Sequence, residues 1–193
     1  MGRPKNYDHQ DVLKKAMMQF WKAGFAETSL SDLEVATSLN RYSLYKGFGD
    51  KETLFEQSLE YYQDHIIRRM LAPLTESEPS IEAVNNYFAQ LNELLKGKYG
   101  QYGCLFQNSQ KEGISQNILV KQYAIDLWLQ QRDLFSLCLS DAKCRLPFAK
   151  EHAVQLLLAQ VQSQISLARS NAPHQVLDAQ YAAINALLIS WQK

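Results

Sequence analysis

The sequence predicts an all-α fold of about nine helices. Apolar residues recur at helical spacing in several long segments, which is the pattern of amphipathic helices. Glycines, prolines and capping residues separate these segments, and no segment alternates apolar and polar residues as a strand does. With 193 residues, 46% of them hydrophobic, the chain is long enough to bury one core or two small ones.

The first helix is predicted from about Asp8 to Ala23. Asp8 is a good N-terminal cap, and Gly24 is a good stop. Before this helix, the chain carries two cations, Arg3 and Lys5. Two interpretations of these first residues stay open: a plain chain terminus, or a basic arm that contacts DNA.

Residues 28–52 predict two short helices joined by a tight turn. Ser29 followed by Asp32 is the start of a capping box, and Asn40 is a good cap for the second helix, at residues 41–46. Leu44 is the residue that this second helix buries. Its outer face is left with hydroxyls, rings and cations, which suit a groove lined by phosphates: Arg41, Tyr42, Ser43, Tyr45 and Lys46. The pair has the layout of a helix-turn-helix whose second helix reads DNA.

Several short strings in this region carry a family resemblance. They are Gly24-Phe25, Thr28-Ser29-Leu30, Asp32-Leu33, Ala36, Ser43-Leu44-Tyr45, Phe48 and Asp50-Lys51-Glu52-Thr53-Leu54-Phe55, after a basic start at Gly2-Arg3-Pro4-Lys5. Together they resemble the DNA-binding module of the tetracycline-repressor (TetR) family of bacterial transcriptional regulators. The sequence departs from the family at Ser38, where the turn usually carries a glycine.

The resemblance implies a function and a division into domains. A helix-turn-helix DNA-binding domain is expected at residues 1–50, and a helical ligand-sensing and dimerisation domain at 51–193. The implied protein is a repressor that binds a palindromic operator as a homodimer and is released by a small molecule or an electrophile. Tyr45 and Lys46 resemble the family's phosphate-contacting pair. The predicted DNA-binding residues are Arg3, Lys5, Ser29, Ser31, Arg41, Tyr42, Ser43, Tyr45, Lys46 and Lys51.

A long fourth helix is predicted from Lys51 to about Leu71, capped by Asp50 and ended by Pro73. Lys51 lies in its first turn, where it can reach a phosphate together with the amides of the helix start. The helix is expected to link the DNA-binding module to the second domain. Later helices are predicted at about residues 80–96, 115–140, 147–170 and 174–191.

The second domain offers aromatic and polar candidates for a ligand pocket that would favour an apolar molecule. They are Tyr62, His65, Phe88, Cys104, Phe106 and Trp128, and for each the alternative is an ordinary core position. Two interpretations of Cys104 stay open. It is either a buried packing residue or, as in a subset of the family, a thiol that senses electrophiles.

The last two predicted helices carry broad apolar stripes. The family pairs these helices in a four-helix bundle between two copies, which implies a dimer interface at Leu158, Val161, Ile165, Ile184, Leu188 and Trp191. The alternative is that the stripes close the core of a single chain. A two-fold dimer would also space two reading helices for a palindrome.

Composition and motifs limit which other classes of function are expected. Twenty basic residues balance twenty acidic ones, so bulk charge gives no sign of a nucleic-acid partner. No leader and no long apolar run is visible, which predicts a cytoplasmic protein with no membrane partner. Three cysteines and four histidines lack the spacing of metal ligands, and no cofactor-binding loop or catalytic constellation is present. An enzyme is therefore not expected. The rival function is a helical ligand-binding or adaptor protein that does not bind DNA.

Overall fold

The computed structural model describes residues 7–110, 114, 117–141 and 143–192, so Arg3 and Lys5 lie outside the described part. The helices are α1 (His9–Ala23), α2 (Leu30–Thr37), α3 (Arg41–Phe48), α4 (Lys51–Tyr62), α5 (Arg68–Thr75), α6 (Ile81–Lys96), α7 (Leu105–Ser109), α8 (Ile118–Cys138), α9 (Lys150–Arg169) and α10 (His174–Ser190). A π-helical turn, Gln63–Ile67, joins α4 to α5 without a break, and a 3-10 turn, Gly100–Tyr102, precedes α7.

These elements confirm the all-α prediction. When the continuous run from α4 to α5 is counted once, the described residues form nine α-helices, which agrees with the predicted number of about nine. In the described residues, the extended pairing is confined to an isolated bridge between Cys144 and Gln192. None of the described helices combines the length and the apolar character needed to cross a membrane.

The chain divides into two packing units. The first unit comprises residues up to 66 together with 104–124, and the second comprises 67–103 together with the residues from 125 onwards. α4 falls in the first unit because it packs along α1. The functional boundary expected after residue 50 stays a prediction.

α1 and α4 form the core of the first unit. The Phe20 ring meets the Phe55 ring edge-on with centroids 4.9 Å apart, and Trp21 meets Tyr62 in the same way at 5.1 Å. Aromatic pairs of this geometry add about 0.5–1.5 kcal/mol each beyond the burial of apolar area. The stripe that α1 buries is Val12, Leu13, Ala16, Met17, Phe20 and Trp21.

Among the described residues, polar caps begin six of the helices, at Asp8, Ser29, Asn40, Asp50, Ser80 and Asn117. In each, a side-chain oxygen accepts a hydrogen bond from an amide two or three residues further on. Hydrogen bonds from Ser29 lower the pKa of the Asp32 carboxyl, and those from Thr53 lower the pKa of Asp50. These carboxylates therefore stabilise the fold above their ordinary pKa, and the contribution is lost as the pH falls through the lowered values.

Pro73 does not end the fourth helical run, so that prediction was wrong. It lies inside α5, which continues to Thr75. Since proline has no amide hydrogen, the carbonyl of Arg69, four residues earlier, loses its helical donor. The side-chain amide of Gln90 in α6 donates to this carbonyl oxygen at 2.8 Å. A neighbouring helix thus supplies the hydrogen bond that the proline removes.

The second unit is built around α6, which packs against α5, α9 and α10. Two aromatic residues of α6, Tyr87 and Phe88, contact the ring of Phe135 in α8 with centroids 5.4 and 5.9 Å away. On another side of α6, the Asn92 side chain donates to the carboxylate of Asp178 in α10 at 2.8 Å. The core of this unit therefore combines ring packing with polar contacts between helices.

The six residues predicted at a dimer interface belong instead to the core of the single chain. Their exposed fractions are between 1% and 8%, for Leu158, Val161, Ile165, Ile184, Leu188 and Trp191. They pack α9 and α10 onto the rest of the second unit, so they are not available to a second copy. The prediction identified the inward stripe of each helix, because helical spacing alone does not tell which apolar face meets the chain's own core.

Replacing Gln90 by Leu is expected to lower the free energy of unfolding by about 1 kcal/mol, because the Arg69 carbonyl loses its donor. In a Pro73→Ala background the helix regains an amide at residue 73, so the same replacement should cost clearly less. Chemical denaturation of the two single variants and the double variant measures this coupling. Equal costs in both backgrounds would show that Gln90 does not replace the missing amide.

Candidate nucleic-acid interface

The turn between α2 and α3 is held by local hydrogen bonds. Ser38 ends α2 in the left-handed region, with φ 60° and ψ 23°. This conformation is less favourable for a residue with a side chain than for glycine. The buried hydroxyl of Thr37 donates to the Leu33 carbonyl at 2.6 Å and accepts from the Leu39 amide at 3.3 Å, which closes the turn. The turn therefore forms although Ser38 replaces the expected glycine.

Buried apolar side chains determine which side of α3 faces solvent. Leu33 of α2 is fully buried, and Leu44 and Phe48 of α3 are 2% exposed. Because these side chains anchor one face of α3 to the first unit, the opposite face points outward. The predicted reader residues Arg41, Tyr42, Tyr45 and Lys46 are all exposed on that outward face, and Ser43 is half-buried at its margin.

The exposed face of α3 carries two cation–aromatic pairs, each between residues four apart. The Arg41 guanidinium carbon lies 5.5 Å from the Tyr45 ring centroid, and an Arg41 nitrogen is 3.5 Å from the Tyr45 hydroxyl. The Lys46 ammonium lies 5.7 Å from the Tyr42 ring centroid. Such pairs are worth about 0.5–1 kcal/mol at exposed sites and hold long side chains along the helix. The face is thus a partly ordered surface of cations and phenols.

Two side chains hold the first turn of α3. Asn40 accepts a hydrogen bond from the Ser43 amide at 2.9 Å, as its position predicts. The carboxylate of Glu34, in α2, accepts one from the Arg41 amide at 2.5 Å. Glu34 was not predicted as a functional residue. Its partner is seven residues away across a turn, and no sequence motif marks that contact.

The other predicted DNA-binding residues that the structure describes, Ser29, Ser31 and Lys51, lie in different surroundings. Ser31 is exposed on the first turn of α2. The Ser29 hydroxyl donates to the Asp32 carboxylate at 2.6 Å and accepts from the Asp32 amide, so it serves the capping box. The Lys51 ammonium lies 4.4 Å from the centroid of the Phe25 ring. This contact makes Phe25 a neighbour of the interface that the sequence did not indicate.

The six predicted ligand residues fall in both packing units. In the first unit, the buried Tyr62 ring meets the buried Phe106 ring at 5.1 Å, and the exposed His65 stacks on Tyr61. In the second unit, Phe88 belongs to the aromatic core described above, and Trp128 lies exposed beside Arg132. A described cavity of about 250 Å³ in the second unit is lined by none of the six. The ligand set stays a prediction.

Cys104 is a packed thiol. It is 4% exposed, and burial raises the pKa of its thiol despite backbone amides of Gln107 and Phe106 directed at the sulfur. The Tyr62 side chain also hydrogen-bonds to it. A reactive cysteine needs a lowered pKa and access to solvent, and Cys104 has neither. Of the two interpretations left open by the sequence, the structure therefore favours packing.

In the folded protein, an alkylating reagent is expected to label the half-exposed Cys144 at least about tenfold faster than Cys104, because only Cys144 is accessible. Mass spectrometry of peptides after timed labelling measures both rates. The control is the unfolded chain, in which the two thiols should react at similar rates. Faster labelling of Cys104 in the folded protein would restore the sensing hypothesis.

These observations define a class of protein. Two short helices joined by a tight turn, with one face buried and the outer face of the second helix carrying cations and phenols, form a helix-turn-helix DNA-binding module. The family model for bacterial regulatory proteins of the tetR family matches residues 12–57, which span this module.

Relatives extend the match beyond the module. The HTH-type transcriptional repressor ComR of Escherichia coli (strain K12) is 35% identical over 153 residues, which cover 76% of this chain and 71% of that protein. The chain therefore belongs to the TetR family, and it is a DNA-binding transcriptional regulator and not an enzyme.

Solved structures share the fold. A cysteine mutant of the TetR family regulator CifR, complexed with 26-base-pair operator DNA, has a TM-score of 0.81 at 22% identity, covering 98% of this chain and 100% of that one. SCO4454, a TetR-family regulator from Streptomyces coelicolor, has a TM-score of 0.80 at 16% identity, covering 95% and 89% of the two chains.

Proposed function

We propose that the protein is a repressor that binds a palindromic operator as a homodimer, with α3 of each copy in the major groove, and is released by a small apolar molecule. The observation that carries this proposal is the outward face of α3, with its two cation–aromatic pairs. Repression is supported by the relative ComR, which is named a repressor, and the operator by the DNA in the CifR complex. Because the operator is part of the chromosome, the proposed function places the protein in the cytoplasm.

Chemistry divides the roles within the proposed interface. Arg41 and Tyr42 lie in the first turn of α3, the part of a recognition helix that approaches base edges. Tyr45 and Lys46 lie one turn further on and are assigned to phosphates. Ser31 and Lys51, each in the first turn of its helix, are assigned to phosphates beside α3.

The proposed function is tested by selecting bound fragments from a genomic DNA pool. A short inverted repeat should be recovered, and its affinity should fall steeply with salt because cations on both copies displace counterions. Recovery of unrelated sequences, or binding that is insensitive to salt, would favour the rival function, a helical adaptor or ligand-binding protein without a DNA partner.

On the recovered operator, Lys46→Ala is expected to weaken binding to all sequences alike and to reduce the salt slope by about two per dimer. Tyr42→Ala should instead change the sequence preference, since this ring sits where base edges come into reach. Fluorescence anisotropy with the operator and a scrambled duplex, over a range of salt concentrations, separates the two effects. The roles are reversed if Lys46→Ala changes the preference and Tyr42→Ala leaves it intact.

The proposed dimer uses the outward faces of α9 and α10. Their solvent side exposes Leu156 and Val176, at 43% and 41%. The two helices are tied side by side there, because the Gln180 side chain donates to Gln160 at 3.1 Å and to Ser163 at 2.7 Å. The exposed residues of the two helices also include Ala159, Ala179 and Ala183, whose small side chains let a second helix pair approach closely. Such a surface suits a two-fold contact, in which the same patch meets itself.

Leu156→Glu is therefore expected to shift the protein from dimer to monomer and to lower operator affinity at least about tenfold, while the helical circular dichroism is retained. Gln162→Glu adds the same charge on another exposed face of α9 and is the matched control. Analytical ultracentrifugation measures the assembly state. A dimer that survives Leu156→Glu would place the interface elsewhere.

A further inference from the structure

A single carboxylate links the two helices of the DNA-binding module. Glu34 belongs to the second turn of α2, and its Oε1 accepts a hydrogen bond from the Arg41 amide at 2.5 Å. Arg41 is the first residue of α3. An amide at that position has no acceptor within its own helix, so it is satisfied from outside. Glu34 supplies that acceptor from the other side of the turn.

We propose that Glu34 is a positioning residue that sets the orientation of the reading helix and thereby the sequence specificity of the protein. The inference rests on the proposed function of α3 and deepens it. Asn40 also caps α3, but it belongs to the turn itself and holds the amide of Ser43. Glu34, by contrast, joins the first amide of α3 to the body of α2.

The geometry connects this contact to the residues assigned to the bases. Fixing the Arg41 amide fixes the backbone from which the Arg41 and Tyr42 side chains leave the helix. Those side chains are in turn paired with Tyr45 and Lys46 one turn later. A change in the orientation of the first turn therefore moves both cation–aromatic pairs. Base edges are read by hydrogen bonds, whose donor–acceptor distances span only about half an ångström, whereas phosphate contacts carry no sequence information directly.

The charge of Glu34 supports a role in specificity over a role in affinity. A carboxylate at the start of a helix that meets DNA repels phosphates and weakens binding to every sequence. It also occupies an amide that could otherwise bind a phosphate. A contact with these two costs favours the correct sequence only if it holds the helix where base contacts form.

Three replacements separate the hydrogen bond from the charge. Glu34→Gln keeps an acceptor oxygen at the same reach and removes the charge. Glu34→Asp keeps the charge but is one methylene too short for the amide, and Glu34→Ala removes both. Glu27→Gln, at an exposed acid of the same packing unit, is the control for loss of a charge alone.

The measured quantity is the ratio of affinities for the recovered operator and a scrambled duplex. Glu34→Ala and Glu34→Asp are expected to lower this ratio about 2- to 30-fold, the range that corresponds to losing one helix cap. Glu34→Gln should keep the ratio of the unmodified protein while binding both duplexes more tightly at low salt. If Glu34→Gln loses the ratio as Glu34→Ala does, Glu34 acts through its charge and the proposal is wrong. If Glu34→Ala keeps the ratio, Glu34 does not set specificity at all, and the proposal is wrong as well.

A second measurement needs no DNA. Hydrogen exchange of the Arg41 amide should be slow in the unmodified protein and in Glu34→Gln, and faster in Glu34→Asp and Glu34→Ala. Equal exchange in all four proteins would overturn the proposed contact. If the unmodified protein prefers no DNA sequence, the proposed function fails while the exchange rates still report on Glu34, so the two failures are distinguishable.

Discussion

The packing of the DNA-binding module depends on an aromatic contact between α1 and α4. Phe20 is fully buried, and its ring lies 4.9 Å from Phe55 and 6.2 Å from Phe25. Phe25 also meets Phe55 at 5.0 Å, and its outer surface carries the ammonium of Lys51. The same ring cluster therefore fills the core and holds a cation at the start of α4. Loss of this ring cluster would therefore disrupt the packing of the core and displace the Lys51 ammonium at the same time.

Polar contacts have a comparable role in the second unit. Lys96 of α6 lies 2.8 Å from the Asp178 carboxylate of α10 and 2.7 Å from Glu93. Hydrogen bonds from Lys96 and then Asn92 lower the pKa of Asp178, and hydrogen bonds to Asp178 and then Glu93 raise the pKa of Lys96. The pair stays ionised over the whole neutral range. Because exposed ion pairs contribute little free energy, its main effect is to fix how α6 and α10 meet.

The sequence predicted what is local and failed where tertiary contacts decide. Asp8, Ser29, Asn40 and Asp50 form the caps that their positions indicate, because a cap involves only an oxygen and an amide a few residues away. Pro73 was expected to stop a helix. It does not, since a glutamine from another helix supplies the missing donor, and sequence spacing carries no information about that neighbour.

The same distinction applies to the predicted dimer face and to the DNA interface. The spacing of Ile184 and Leu188 shows that one face of α10 is apolar, but it does not tell whether that face meets its own chain or a second copy. Likewise, the residues of α3 that point outward follow from the period of the helix and the burial of Leu44. The contacts of Glu34 and Phe25 depend on the angle between helices, which the period does not contain.

The polar side chains of the module fall into two groups with different physical roles. The first group makes its hydrogen bonds inside the protein. Ser29 donates to Asp32, Asn40 accepts from the Ser43 amide, and Glu34 accepts from the Arg41 amide. The other group, on the outward face of α3, makes weak cation–aromatic contacts and a long hydrogen bond from Arg41 to the Tyr45 hydroxyl, which a stronger phosphate or base contact can replace. Specific recognition needs both groups, because a side chain can discriminate between bases only when the backbone that carries it does not move to accommodate the wrong one.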